Sequence, residues 1–282
     1  MEKLLALALV VSCGAVSAQT PATNPMPDGS RDMYAGLGAV SMPRYQGAGS
    51  NKESALPVLQ VQWSNGLFIS GMSAGIHLSN RPTLEYGPLV ALQPRRRESG
   101  TGSGIGEVHA VGLPSRAEEP SRRAGVNRLE GMNDIGARLQ AGAFVNYYLS
   151  QEWRLTSSVL YGAGNDRDGA LLELGVQRLA IQVAPHHAVS VSAGVTIANR
   201  AYNQAFFGVS SKESALSGNA EYAAAGGFKD ARVGLRWNWA LSPSWMLTSG
   251  AQATRLLNSP GKSPLVERPN NLTVSTAVAY RF

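Results

Sequence analysis

The chain has 282 residues, of which 31 are glycine and 16% are charged, with a mean hydropathy of −0.11 and a formal charge of +6. No segment beyond the first eighteen residues approaches the ~20 consecutive apolar residues of a membrane helix, and a single cysteine, Cys13, makes no disulfide framework. A helical membrane protein and a disulfide-stapled miniprotein are thereby excluded, and one large glycine-rich β domain fits best.

Residues 1–18 read as a secretory signal peptide. Met1-Glu2-Lys3 carries a positive charge, Leu4 to Val11 is an apolar run, and Val16-Ser17-Ala18 precedes Gln19 as a small-residue cleavage site. The alternative is a lipobox, "VVSC" at 10–13, which would acylate Cys13. Cleavage after Ala18 removes the cysteine, so the mature chain would be stabilised without disulfides. Glu2 and Lys3 cancel, so the mature chain keeps its basic charge. On an exported chain that charge points to outer-membrane lipid headgroups, lipopolysaccharide or the cell wall, and not to nucleic acid. Residues 19–32, "QTPATNPMPDGSRD", are Pro-rich and polar and read as a flexible periplasmic lead-in.

Residues 33–282 then resolve into segments of alternating polarity. In 135–149, Ile135, Ala137, Leu139, Ala141, Ala143, Val145 and Tyr147 oppose Arg138, Gln140, Gly142 and Asn146. In 188–198, Val189, Val191, Ala193, Val195 and Ile197 oppose Ser190, Ser192, Gly194 and Thr196. In 227–241, Ala231, Val233, Leu235, Trp237, Trp239 and Leu241 oppose Asp230, Arg232, Gly234, Arg236 and Asn238. Strand side chains alternate between two faces, so each segment is a strand with one apolar and one polar surface. A soluble β-sandwich and a membrane barrel both alternate in this way. Length separates them, since runs of 11 to 15 residues exceed the ~5–6 of a globular strand and suit a tilted membrane strand of ~9–11 with rims. In 170–183 the apolar parity changes at Val176-Gln177-Arg178-Leu179, which predicts a β-bulge.

Tight turns are expected at "SNG" (64–66), "SQE" (150–152), "PHH" (185–187) and "SPS" (242–244), and long loops at 41–56, 113–132, 199–226 and 257–269. Outer-membrane barrels have this asymmetry, with their short turns in the periplasm. The plain strands are 33–41, 56–63, 66–76, 87–95, 133–149, 153–163, 169–183, 188–199, 227–241, 245–256 and 271–282. The first four run up, down, up and down, and 133–149 must run down to put "SQE" in the periplasm. One further upward strand is therefore needed, and "GIGEVHAVGL" (104–113) is the best segment for it. The expectation is an all-β, antiparallel, up-and-down transmembrane β-barrel of twelve strands with both termini periplasmic; ten strands is the alternative. At its end, Val278, Tyr280 and Phe282 have the form of a carboxy-terminal barrel-assembly signal.

No catalytic constellation emerges. Of the four histidines, His77, His109, His186 and His187, the last two form a pair in the "PHH" turn with no cysteine or carboxylate close in sequence, and there is no nucleophile elbow and no HExxH. "GAGNDRDG" (162–169) lacks calcium-loop spacing and reads as a polar loop tip. The expectation is a non-enzyme without metal or cofactor. The lumen charges would be Arg138, Arg154, Glu173, Asp230, Arg232, Arg236 and Arg281. They read either as cross-strand ion pairs filling a narrow barrel or as a basic pore favouring anions. "PRRRES" (94–99) and Arg122-Arg123 read as solvated rim charges able to dock anionic headgroups.

Several blocks are similar, in order, to one family. "YAGLGAVSMPRYQGAGS" (34–50) resembles the Gly-x-Gly strand and Pro-x-Tyr-x-Gly loop that open the MipA/OmpV family. "ALPVLQVQWSNGLFISG" (55–71) is similar to its next hairpin, and "GPLVALQPRRRESG" (87–100) to its Gly-Pro-Leu strand. "RLEGMNDIGARLQAGAFVNYYLS" (128–150), "AYNQAFFGVSSKESALSGNAEYAAAGGFKD" (201–230) and "SPLVERPNNLTVSTAVAYRF" (263–282) continue the resemblance. The stretch 100–127 is longer than the family's usual connection. The resemblance implies an outer-membrane barrel without catalytic residues. It also implies a scaffold that brings a murein-cleaving lytic transglycosylase together with a murein synthase; porin-like and adhesive roles are the alternatives.

Overall fold

In the computed structural model, which describes residues 31–79, 81–102 and 127–282, alternation becomes a closed wall. The strands are β1 (Arg31–Pro43), β2 (Asn51–Trp63), β3 (Leu67–Ser70), β4 (Ser73–Ile76) and β5 (Leu84–Gln93), then a small hairpin, β6 (Arg96–Arg97) with β7 (Gly100–Thr101). After these come β8 (Arg138–Tyr148), β9 (Trp153–Ala163), β10 (Gly169–Ala184), β11 (His187–Ala198), β12 (Gly227–Ala240), β13 (Trp245–Leu256) and β14 (Asn270–Arg281). Twelve of them close antiparallel in the order β1-β14-β13-β12-β11-β10-β9-β8-β5-β4-β3-β2. Closure leaves no sheet edge, the condition for spanning lipid with strands. No helix among the described residues is long and apolar enough to cross a membrane.

The count of twelve is reached by a different route from the one the sequence suggested. The expected strand 66–76 is a hairpin, with β3 paired to β4 from Leu67↔Ile76 to Ser70↔Ser73. Gly71 turns the chain at φ 57°, and the Ser73 hydroxyl donates to the Ser70 carbonyl at 2.9 Å. The apolar parity carries the signal: Leu67 and Ile69 are odd, while Met72, Ile76 and Leu78 are even and exposed. Consequently β5 runs up and not down, and 77–83 is one more connection at the tight-turn end. The expected strand 104–113 lies outside the described residues, as do the expected signal peptide and most of the expected lead-in. Because β5 pairs directly with β8, from Leu84↔Tyr147 to Gln93↔Arg138, the wall has no place for a strand between them. On the other side of β5 the β4 backbone comes so close that a Cβ on Gly87 would lie 1.7 Å from the Ile76 carbonyl oxygen.

The outward face is apolar along the barrel. Leu37 and Leu139 are 70% and 72% exposed, and Val145, Val159, Leu174, Val233, Leu235, Val274 and Val278 share their orientation. Such a face is unfavourable in water and favourable against hydrocarbon. Near the tight turns it becomes aromatic. Trp245 packs edge-on to Tyr280 at 5.1 Å, Tyr280 on Phe282 at 5.0 Å, and His187 stacks on Trp239 at 5.1 Å. Amphipathic rings of this kind settle at a membrane–water interface. The predicted bulge is present in β10 between Arg178 and Ile181, where Ala180 takes φ 35°. It leaves Arg178 at the girdle, over the Trp153 ring at 5.8 Å and paired with Glu152 at 3.2 Å.

The buried apolar core sits at the long-loop end. It is built by α1 (Arg200–Phe207), α2 (Ser211–Ser217), α3 (Asn258–Gly261) and the loops around them. One cluster joins Tyr45, Ala48, Leu129, Met132, Val209 and Leu265, and the other joins Ala163, Ala198, Tyr202, Phe207, Ala224 and Leu256; Tyr222 packs on both. Asn199 caps α1 by accepting from the Tyr202 N–H at 2.9 Å. Ser210 and Glu213 form a reciprocal capping box on α2.

Candidate functional site: the capped lumen

The inward residues are small or polar, as a narrow barrel requires. Two charge networks organise them. At the loop end, a register shift between Thr196 and Ile197 on β11 gives β12 an extra residue, so that Lys229 and Asp230 are both buried, each 4% exposed. Lys229 forms a short ion pair with Asp230 and reaches Gln46 Oε1 at 3.3 Å. The Thr196 hydroxyl donates to Asp230 at 2.9 Å and accepts from Arg232 at 2.7 Å. Arg232 then pairs with Glu173 at 3.1 Å. Carboxylate and cation alternate along this ladder, so no buried charge is left alone.

Nearer the tight turns, Glu85 accepts from the Tyr148 hydroxyl at 2.9 Å and from Asn146 at 3.1 Å. Arg154 donates to Gln177 at 2.6 Å and lies over the Tyr148 ring at 5.8 Å. Between the two networks is a cavity of about 550 Å³, whose lining includes Gln62, Phe68, His77, Glu85, Phe144, Asn146, Tyr148, Arg154, Glu173, Arg232 and Arg236.

The structure therefore places Arg154, Glu173, Asp230, Arg232 and Arg236 inside and brings all but Arg236 into networks. Arg138 sits inward beside Gln93, on the last pair of β5 and β8. Arg281 stacks on Tyr34 at 5.8 Å, at the tight-turn end. Val278, Tyr280 and Phe282 point outward there, and the Phe282 N–H donates to the Met33 carbonyl at 3.0 Å. Sequence reading missed Lys229, because strict alternation puts it on the lipid side with Ala231 and only the bulge turns it inward. Glu85 and Tyr148 were missed because acid, phenol and guanidinium meet across three strands with no local spacing.

Above the ladder the loops fold across the mouth. Tyr202 of α1 lies over Lys229, 5.8 Å from ammonium to ring. Arg96, after β5, donates to the Phe206 carbonyl at 2.6 Å and packs on the Phe206 ring at 5.9 Å; β5 and the strand before α1 are four positions apart around the barrel. Tyr45 donates to Glu267 at 2.8 Å, and the Asn133 N–H donates to Glu213 at 3.1 Å. The Ser263 hydroxyl donates to the Phe207 carbonyl at 2.7 Å. Loops from every long-loop connection among the described residues are thus tied together. Arg96 corrects the expectation of a solvated rim: it is buried, and burial lowers its guanidinium to about 10 against the opposing pull of Glu213, so it stays charged at neutral pH. Arg97 does remain at the surface, 3.7 Å from Asp134. Burial also pushes the Tyr202 and Tyr45 hydroxyls up, so both remain neutral.

Among the described residues no group of three or more His, Cys, Asp or Glu is placed to hold a metal ion. His186 and His187 lie at the tight turn after β10, where His187 accepts from the Trp237 indole at 3.2 Å.

Comparison with known proteins finds relatives named as outer membrane proteins. Outer membrane protein Omp26La of Vibrio anguillarum is 32% identical over 90 residues, and outer membrane protein OmpV of Vibrio cholerae serotype O1 is 31% identical over 90 residues. Each match spans 32% of this chain and 34% of the relative, so the chain aligns with about a third of either. Among solved structures, the NanC porin overlaps at a TM-score of 0.39 and 8% identity, covering 90% of this chain and 100% of that one. The toluene transporter TodX of Pseudomonas putida overlaps at a TM-score of 0.37 and 13% identity, covering 93% and 92%. The family profile described as "MltA-interacting protein MipA" matches residues 35–282, from the fifth residue of β1 to the final phenylalanine. With a closed twelve-strand wall, a lipid-facing apolar surface and that match along nearly its whole length, the chain belongs to the MipA family of outer-membrane proteins.

Proposed function

We propose that this protein is a non-enzymatic, non-conducting barrel that serves as an outer-membrane platform for a protein partner. The observation that carries the reading is the cap: α1, two apolar clusters and the buried Lys229–Asp230 pair, continued by Arg232 and Glu173, fill the long-loop mouth. A mouth filled with native-like packing is costly to open, which argues against free diffusion as the task. The partner follows from the family, whose profile is named for interaction with MltA, a murein-cleaving transglycosylase; a murein synthase is the second candidate. The termini and tight turns are assigned to the periplasm, so the platform would be the ring of turns at 64–66, 77–83, 149–152, 185–186 and 241–244. Val278, Tyr280 and Phe282 are assigned to recognition during barrel assembly, since their apolar side chains stand on the outer face of the last strand, accessible before the barrel closes.

The test has two arms. Barrel purified from solubilised envelopes should retain a lytic transglycosylase or a murein synthase, and the reconstituted barrel should be silent in planar bilayers. Recovery of neither enzyme would remove the platform reading, and steady unitary conductance would favour the alternative of a small-solute channel through the charged cavity.

A further inference from the structure

The cavity beneath the cap is larger and more one-sided than a structural lumen needs to be. Its volume, about 550 Å³, lies in the range of small-molecule sites, roughly 300–1,000 Å³. The ladder at Glu173 and Arg232 roofs it. Gln62, His77 and Tyr148, at the tight-turn ends of their strands, lie at its other limit.

Its walls differ in chemistry. In the closed order of twelve strands, β12 and β4 are six positions apart, which puts them diametrically opposite. β12 supplies Arg232 and Arg236, and β9 adds Arg154. The facing corner is aromatic: Phe68 and His77 are 4.7 Å apart, His77 and Phe144 5.2 Å, and Phe68 and Phe144 5.6 Å between ring centroids.

The charges are unequally satisfied. Glu85 is held by Tyr148 and Asn146, and Glu173 by Arg232. Arg154 donates to Gln177 and, at 3.4 Å, to the Tyr148 hydroxyl and lies over the Tyr148 ring, while its Nε is buried without a hydrogen-bond partner among the described residues. Arg236 has neither hydrogen bond nor ion pair among the described residues, although it lines the cavity. Across the strands it is flanked by Ser190 and Gly250, which are too small to cover it. Three arginines against two engaged glutamates leave one guanidinium's worth of uncompensated positive charge facing an aromatic wall.

We propose that this cavity is a binding site for a small organic anion, a carboxylate or phosphate monoester carrying a flat apolar group. Arg236 takes the anionic end, with spare donors of Arg154 in support, and the Phe68–His77–Phe144 corner takes the apolar end. Arg suits the role because its planar fork meets a carboxylate or phosphate with two parallel hydrogen bonds. The inference stands apart from the platform reading: it concerns the lumen and not the turns, and its test uses the isolated barrel without any partner.

The experiment is a ¹⁹F NMR titration of the purified full-length barrel in nanodiscs. The probes are 4-fluorobenzoate, 4-fluorophenyl phosphate and, as the cationic counterpart, 4-fluorobenzylammonium. Saturable binding of either anion with none of the cation is expected. Arg236→Gln should weaken the anion by about tenfold or more, as loss of a charge-assisted pair does, and Arg236→Lys should retain part of it. Arg236 holds no other residue among those described, so the variants should show the same heat-modifiable gel migration as the parent barrel. Equal affinity for the cation, equal affinity of Arg236→Gln, or no saturable binding would each overturn the proposal. If Arg236→Gln does not assemble, the discrimination between anion and cation by the unaltered barrel decides.

Discussion

Asp230 is the residue on which the roof of the lumen turns. It faces two cations, Lys229 in a short ion pair and Arg232 at 3.8 Å, and it accepts the Thr196 hydroxyl at 2.9 Å. Arg232 keeps a second carboxylate, Glu173, but among the described residues Lys229 has only Gln46 and the Tyr202 ring besides. Asp230→Asn therefore strands a buried ammonium, and removing one partner of a buried pair costs about 3–5 kcal/mol. Lys229→Met removes the opposite partner, and its effect should be smaller, about 1–2 kcal/mol, because Asp230 keeps Arg232 and the Thr196 hydroxyl. In the double variant no buried ammonium is left to strand, so it should be more stable than Asp230→Asn alone. The assay is equilibrium unfolding in lipid vesicles, followed by tryptophan fluorescence, for the four members of the cycle. A loss under about 1 kcal/mol for Asp230→Asn, or strictly additive effects, would refute the claim that the ladder is a coupled roof.

Phe207, 1% exposed, centres one cap cluster. Phe207→Ala should cost the cap about 3–5 kcal/mol and speed hydrogen exchange at the paired amides of Val209 and Tyr222; unchanged exchange would show that the cap is held otherwise. The pH response should centre on α2. Burial tends to raise the Glu213 carboxyl, but hydrogen bonds from Ser210 and the Asn133 N–H, with Arg96 nearby, outweigh it and hold it below the ordinary 4.5. A depressed acid contributes stability above its unfolded value and loses it as pH falls through the folded one. The cap should accordingly be stable from pH 5 upward and loosen below about 4.5, and Glu213→Gln should flatten that profile; protease protection of 199–226 against pH measures it. Deleting Phe282 should slow insertion of the unfolded chain by purified assembly machinery while barely affecting the stability of assembled barrels, because the ring is exposed and packs edge-on to Tyr280; equal insertion rates would remove the assembly role.

What the sequence determined by itself is the wall. Period-two alternation over long runs assigns each side chain a face, and the faces of β8, β11 and β12 emerge as read, from Leu139 and Val233 outside to Gln140 and Arg236 inside. That information is local, since a residue's parity follows from its neighbours. The bulge in β10 was legible for the same reason. The β3–β4 hairpin was legible in its parity change and hidden by its brevity, and misreading it reversed the direction of β5.

The tertiary structure alone decided everything that joins distant strands. Lys229 is turned inward by a register shift against β11, so its own alternation points the wrong way. Arg96 reads as a rim charge until Phe206 and the cap cover it. Tyr148, Glu85 and Arg154 meet only because three strands are in register, and the closed mouth exists only because loops from opposite sides of the barrel bury apolar side chains in one another. Parity fixes which solvent a residue prefers; partners across a closed sheet are fixed by shear and loop packing, which no single segment encodes.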